Sequence, residues 1–160
     1  MAFATSGTAG VDLTATPTSA GFDLGTCVPG TDNTEWVYVQ ASGAITQYDA
    51  VGIDENYQAA ALTKAIADAG HQIGFAQVAF ADNDYGWVAC KGSNISVRVA
   101  VSCAADVALY TTATAGVVDD TSASQTKLNG AVLVAAGTSS AVSAREVMIS
   151  GGGVYAEQPA

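Results

Sequence analysis

His71 is the only histidine in the chain, and it is the natural candidate for a general acid or base near neutral pH. A Ser/His/Asp or Cys/His mechanism needs that histidine beside a nucleophile, yet no serine lies in a Gly-x-Ser-x-Gly motif. His71 directly follows Gly70 at the predicted end of a helix, where the helix dipole gives it a structural role. The glycines at 151–153 precede neither a helix nor a Lys-Ser/Thr pair, so they do not form a phosphate loop. We therefore expect no catalytic residue and no cofactor, and the chain is predicted not to be an enzyme.

Carboxylates in two turns are the candidate ligands for a metal ion. Asp82 and Asp84 lie in the sequence Ala-Asp-Asn-Asp, and Asp119 and Asp120 lie at the tip of a polar segment. Oxygen ligands of this kind suit a hard cation, but neither segment has the length or the bidentate glutamate of a dedicated calcium loop. We expect these side chains to be solvated turn residues and predict no metal site.

Three cysteines, Cys27, Cys90 and Cys103, form an odd set without the spacing of metal ligands. The prediction is buried free thiols in a reducing compartment. A bridge between Cys90 and Cys103 is the alternative that the sequence leaves open.

Acidic residues outnumber basic ones 15 to 5, which gives a formal net charge of −10. Binding to nucleic acid or to an anionic membrane surface needs clustered Lys and Arg, and the five basic residues here are scattered. No apolar run approaches the roughly 18 residues of a membrane span, and the N-terminal residues lack the pattern of a secretory signal. We expect neither nucleic acid nor membrane as a partner.

The elements that would position any site are mainly strands. Residues 73–80 and 85–90 predict a hairpin around the acidic turn, and residues 35–41 alternate Trp, Tyr and Gln with Val, Val and Ala. Residues 95–101 have the clearest period of two, and the Ser-Asn pair before them predicts a turn. Further strands are predicted at 22–28, 45–53, 107–112, 130–136 and 144–150, with a polar loop at 117–127. The pattern predicts an all-β fold, a small β-barrel or β-sandwich.

One short helix is predicted in residues 62–69. Thr63 is a suitable N-cap and Gly70 a suitable left-handed residue after the last turn. At under three turns this helix would not persist alone, so it is expected to lie against the sheet.

Three regions are predicted along the chain. Residues 1–21 form an extended N-terminal arm of small polar side chains, either ordered on a partner surface or a frayed terminus. Residues 22–153 form the β domain, with a weak internal repeat of two three-strand units. Residues 154–160 form a C-terminal tail that the three glycines detach.

Three phrases in the sequence resemble a known family. They are GTDNTEWVYVQA, YGWVACKG and LYTTATAGVVDD, and the similarity extends over residues 24–150. Together they resemble the head-decoration, or capsid cement, proteins of tailed bacteriophages.

The resemblance implies a structural virion protein without an active site. It implies an all-β domain that binds the outside of the major capsid protein lattice and stabilises the head. It also implies a homo-oligomer, with a trimer favoured over a dimer, on the outer surface of a virion and made in the host cytoplasm.

A rival interpretation is a virion-surface β domain that binds host carbohydrate. Its stacking platforms would be exposed rings of Trp36, Tyr57, Tyr85 or Trp87. Buried rings would favour the cement role, whereas two or more coplanar rings on an open face would favour sugar binding.

Overall fold

Residues 11–138 and 140–157 are described by the computed structural model, and they form twelve strands and one helix. In chain order the elements are β1 (Cys27–Pro29), β2 (Glu35–Ala41), β3 (Ala50–Ile53), β4 (Gln58–Ala61), α1 (Lys64–Asp68), β5 (Gln72–Ala76), β6 (Tyr85–Val99), β7 (Leu109–Thr111), β8 (Val118–Asp119), β9 (Lys127–Asn129), β10 (Ala131–Leu133), β11 (Ser143–Ile149) and β12 (Tyr155–Ala156). The predicted all-β fold with one short helix is confirmed. The single helix of the described residues is too short and too polar to span a membrane.

Five strands close into a barrel. β2 pairs with β4 in parallel and with β6 in antiparallel orientation, while β3 pairs with both β4 and β5, and β5 pairs with β6. The hydrogen-bonded ring β2–β4–β3–β5–β6 is therefore complete, and within it the barrel strands protect one another's edges.

The long strand β6 joins this barrel to a second sheet. Its first half pairs with β2 and β5, and its second half pairs with β11 and β8. The predicted turn at Ser93 and Asn94 is therefore wrong. Asn94 has a positive φ of 59°, and the pairing of β11 with β6 shifts register between Val147 and Ile149. A residue that favours turns also fits a β-bulge, so the chain bends here without reversing.

The second sheet has the strand order β10–β11–β6–β8–β7–β9–β12. The antiparallel pair β10–β11 corresponds to the pair β5–β6 of the proposed repeat. The remaining strand of each unit is β3 in the first and β7 in the second, and the two are paired differently. β3 pairs with β5 of its own unit, whereas β7 pairs with β8 and β9.

Two apolar cores follow from the alternation of side chains in the barrel strands. Val37, Val39 and Ala41 of β2 point into the barrel, and Trp36 and Tyr38 point outward into a core shared with the second sheet. The alternation predicted for β2 is confirmed. Because both faces of this strand are covered, its buried pattern is nearly continuous.

The described part of the predicted N-terminal arm packs on the barrel of the same chain. Leu13 is 1% exposed and belongs to the outer core. Tyr85 N donates a hydrogen bond to Pro17 O at 2.9 Å, and Gly21 N donates to the Tyr38 hydroxyl at 3.0 Å. Leu13 is thus one of the few large side chains of this segment, and it anchors the segment on the barrel. Residues 1–10 lie outside the described residues.

The predicted detached C-terminal tail is also wrong over residues 154–157. Val154 forms an isolated bridge with Ile73, and β12 pairs with β9. Val154 and Ala156 are buried while Tyr155 is 59% exposed, so this short segment alternates as an edge strand does. Residues 158–160 lie outside the described residues.

Helix α1 has the predicted ends. The Thr63 hydroxyl accepts a hydrogen bond from Ile66 N at 3.3 Å, and Gly70 adopts a φ of +79° after the last turn.

Several predicted strands are shorter in the structure. The strand predicted at 22–28 is confined to β1, and the strand predicted at 45–53 begins only at β3. The strand predicted at 73–80 ends with β5, after which Phe80 makes an isolated bridge with Ile45. The polar segment 117–127 contains β8, because Val118 pairs with β6 and β7.

Candidate contact surface

The carboxylate of Asp84 stabilises the acidic turn itself. Asp84 Oδ2 accepts a hydrogen bond from Ala81 N at 3.0 Å, and Asn83 N donates to Ala41 O at 2.9 Å. Asn83 adopts a φ of +68°, which asparagine tolerates better than most residues. These contacts show that Asn83 and Asp84 act as turn residues.

A second group of ligand-type side chains lies beside β8. The Cys103 sulfur and carboxylate oxygens of Asp119 and Asp120 lie within 4.8 Å of one another. Asp120 Oδ2 accepts from Ala104 N, and Asp119 Oδ1 accepts from Asp120 N, both at 2.9 Å. Burial, with the charges of Asp120 and Asp119, raises the pKa of the Cys103 thiol to about 11. The hydrogen bonds of both carboxylates to backbone N–H groups tie residue 104 to β8 and the residue after it.

All three cysteines are free thiols, and the alternative of a Cys90–Cys103 bridge is wrong. Cys90 and Cys103 are buried as predicted, but Cys27 is exposed. Cys27 lies in β1, which pairs only with β2 in the described part of the chain and so leaves its outer side uncovered.

The aromatic rings considered as sugar platforms are divided between core and surface. Trp87 is 1% exposed and Trp36 is 7% exposed, because both point from the barrel into the outer core. Tyr85 is half-buried and stacks on Tyr38, with ring centroids 6.3 Å apart and planes 19° apart. Of these four rings only that of Tyr57 is exposed, at 39%, so the four do not form a shared open face.

Exposed apolar side chains gather instead on the β10–β11 hairpin. Val132, Val134 and Met148 are 39%, 49% and 50% exposed. Val132 pairs directly with Met148, and Val134 N donates to Glu146 O at 2.9 Å, so the three side chains lie on one face of two adjacent strands. We call these three residues the β10–β11 strip.

The strip exists because β10 is apolar on both faces. Ala131 and Leu133 point into the core, at 6% and 0% exposed, while Val132 between them and Val134 just after β10 point outward. An ordinary edge strand with one solvated face would carry polar residues at Val132 and Val134. This double apolar pattern over residues 131–134 is the signal in the sequence from which the strip could be predicted.

Neighbouring loops extend the apolar surface. Of the nine exposed large apolar side chains in the described ranges, six lie between Val101 and Met148. Asp106 N donates to Leu133 O, which brings Val107 beside β10, and Ser102 N donates to Thr138 O, which brings Val101 near the hairpin. A cluster of this kind marks an interaction surface more often than scattered single residues do.

Few charged side chains lie along this edge of the sheet. Among the described strands, β10 pairs with β11 alone, and residues 130–144 contain no charged side chain. Natural edge strands are usually protected by charges or prolines. Arg145 is turned toward the backbone, where its Nε donates to Ala136 O at 2.6 Å. Glu146 is exposed opposite Val134 on the same face as the strip, and the backbone of Asp106 bonds to the outer edge of β10 at Leu133.

Comparisons with known proteins give no relative for this chain: no protein-family model matches it, and no curated protein matches it significantly.

Proposed function

We propose that the chain is a capsid decoration protein, which binds the outside of a major capsid protein lattice and stabilises the head. Two features support the proposal. The phrases in β2, β6 and residues 109–120 resemble the decoration proteins of tailed bacteriophages, and the all-β body presents an exposed apolar strip at one edge of its second sheet.

The β10–β11 strip is the observation that carries the proposal. Full burial of a Val or Met side chain contributes about 1.5 to 3 kcal/mol, so burying the exposed half of each strip residue contributes about 1 kcal/mol. Three residues give a weak contact for one copy, and the entropy of association opposes it further. Such a surface becomes effective when several copies are linked.

Oligomerisation supplies that linkage in the proposal. A homo-oligomer, with a trimer favoured over a dimer, would place several strips against neighbouring capsid subunits at once. Binding of the second and third strips is then intramolecular, which raises avidity without a new contact. The protein would be made in the host cytoplasm and reside on the outer surface of the virion.

Stabilisation follows from mass action. A ligand that binds the assembled lattice but not its dissociated subunits lowers the free energy of the assembled state. The three strip residues are uncharged, and Glu146, which lies opposite Val134 on the same face, adds a single charge, so this binding should depend only weakly on salt.

The test uses shells stripped of this protein and heated with and without its re-addition. We expect wild-type protein to raise the temperature at which the genome is released. Met148→Asp places a carboxylate in the contact and should weaken shell binding by about tenfold or more. Tyr155→Asp is the matched control, since Tyr155 is 59% exposed in β12 at the opposite edge of the same sheet.

Equal genome retention with and without the wild-type protein would refute the cement role. If Met148→Asp bound shells as well as Tyr155→Asp, the protein would contact the shell through another surface.

A further inference from the structure

A cleft of about 400 Å³ opens at the end of the barrel where β3 and β5 meet. One wall is the turn between β3 and β4, with Asp54, Glu55 and Tyr57, and the other is the end of α1, with His71 and Gln72. Its volume lies within the range of small-molecule sites. The cleft is remote in the strand order from the β10–β11 strip, which belongs to the far edge of the second sheet.

The Tyr57 ring is held in a fixed position at this cleft. Tyr57 adopts a φ of +58°, a region that bulky side chains rarely occupy. Its N donates to Asp54 O, its O accepts from Gln40 N, both at 3.1 Å, and these bonds hold the strained backbone. A β-carbon at position 25 would lie 2.4 Å from Tyr57 Cε2 and Cζ, so glycine is required there for the ring to pack as it does.

Side chains that donate and side chains that accept hydrogen bonds line the cleft together with Tyr57. Asp54 Oδ1 accepts from Asn56 N and Gln58 N at 2.8 Å, which orients the carboxylate. Within the described part of the chain, the imidazole of His71 and the side-chain amide of Gln72 make no hydrogen bond. The cleft thus offers acceptors, an amide with both functions and an aromatic face, while its apolar lining is limited to Ile53 and Ala69.

We propose that this cleft binds a neutral sugar, with a pyranose ring stacked on Tyr57. The C–H face of a sugar suits an aromatic ring, and its hydroxyls suit a mixture of carboxylate, imidazole and amide partners. The paired carboxylates Asp54 and Glu55 disfavour anionic ligands such as uronic acids and phosphates. The shortage of apolar lining disfavours lipids. This inference does not depend on the decoration role, because it uses different residues and a different ligand.

The experiment is an NMR titration of the intact chain with methyl glucoside, methyl galactoside, methyl mannoside and N-acetylglucosamine. At least one should perturb the amide signals of residues 53–57 and 69–72, with saturation at about 10 mM or below. Glucuronic acid, which has the same ring with a carboxylate, should bind about tenfold more weakly than the neutral sugar. Glu55→Gln should reduce the difference in affinity between glucuronic acid and the neutral sugar, because it removes one of the two carboxylates.

Two variants test the ring. Tyr57→Phe keeps the stacking face and should retain binding, whereas Tyr57→Asn should abolish it, because asparagine tolerates the positive φ and removes the ring. Tyr155→Asn is the matched control and should bind as wild type, since Tyr155 is exposed in β12 away from the cleft.

Three results would overturn the proposal. The first is the absence of saturable shifts at these residues with every neutral sugar. The second is unchanged binding by a folded Tyr57→Asn variant. The third is saturation of the cleft by calcium ions or by lysine methyl ester without any response to sugars, which would make it a cation site.

Discussion

Asp49 and Arg98 form a buried ion pair that ties the barrel to the second sheet. Arg98 Nη1 donates to Asp49 Oδ1 at 2.5 Å, and the side chains are 25% and 3% exposed. Asp49 Oδ2 accepts from Thr46 N at 2.8 Å, and Arg98 N donates to Tyr48 O at 2.8 Å. The loop before β3 is thereby attached to the second half of β6.

Removing one partner of this pair should destabilise the fold. Asp49→Ala leaves the guanidinium without its counter-charge, and we expect it to lower the free energy of unfolding by about 3 kcal/mol. Urea denaturation measures the change. The control is Glu157→Gln, which removes an exposed partner 3.5 Å from Lys127 and should cost less than about 1 kcal/mol. Equal stability of the two variants would mean that the Asp49–Arg98 pair contributes no more than a surface contact.

The packing of the N-terminal segment can be tested without a capsid. Leu13 is 1% exposed in the outer core. Leu13→Ala should lower the free energy of unfolding of the isolated protein by about 2 to 4 kcal/mol, because it leaves a cavity. Thr18→Ala, at an exposed position of the same segment, should change it by less than about 0.5 kcal/mol. An unchanged Leu13→Ala variant would show that the segment does not pack on the barrel in solution.

The three thiols should react very differently with an aromatic disulfide reagent at pH 8. Partial burial and the charge of Glu35 raise the pKa of Cys27, but its side chain is exposed to reagent, whereas burial closes off Cys90 and Cys103 and raises their pKa values to about 12 and about 11. Since the thiolate is the reactive form, the native protein should be labelled at one site and the denatured protein at three. Cys27→Ser should abolish rapid native labelling. Rapid labelling at two or more sites would contradict the burial of Cys90 and Cys103.

The two buried thiols, Cys90 and Cys103, predict a loss of stability in alkali. Their folded-state pKa values lie above the ordinary value of 9.0, so the unfolded chain releases these protons first as pH rises. The stabilisation is complete below about pH 9, and each thiol then removes about 1.4 kcal/mol per pH unit until its folded pKa is reached. Cys90→Ala should start from a lower stability but show a shallower decline between about pH 9 and pH 10. Parallel curves for wild type and Cys90→Ala, measured by urea denaturation, would contradict the raised pKa of Cys90.

The sequence alone determined those features that depend on residues close together in the chain. The alternation in β2 assigned Val37 and Val39 to one core and Trp36 to the other, because side chains of a strand point to opposite faces. Thr63 and Gly70 marked the ends of α1, because capping depends on groups within one turn of the helix. The absence of a motif for phosphate or for a serine nucleophile was likewise readable from order alone.

Tertiary structure decided whatever depends on partners distant in the chain. Asn94 favours a turn in isolation, but pairing with β11 keeps β6 continuous and makes its positive φ part of a bulge. The C-terminal segment became a strand only because β9 offered an edge, and Leu13 became a core residue only because the barrel exposed an apolar outer face. The β10–β11 strip and the Tyr57 cleft have the same origin. Periodicity shows which residues share a face, but only the folded chain shows which faces remain uncovered.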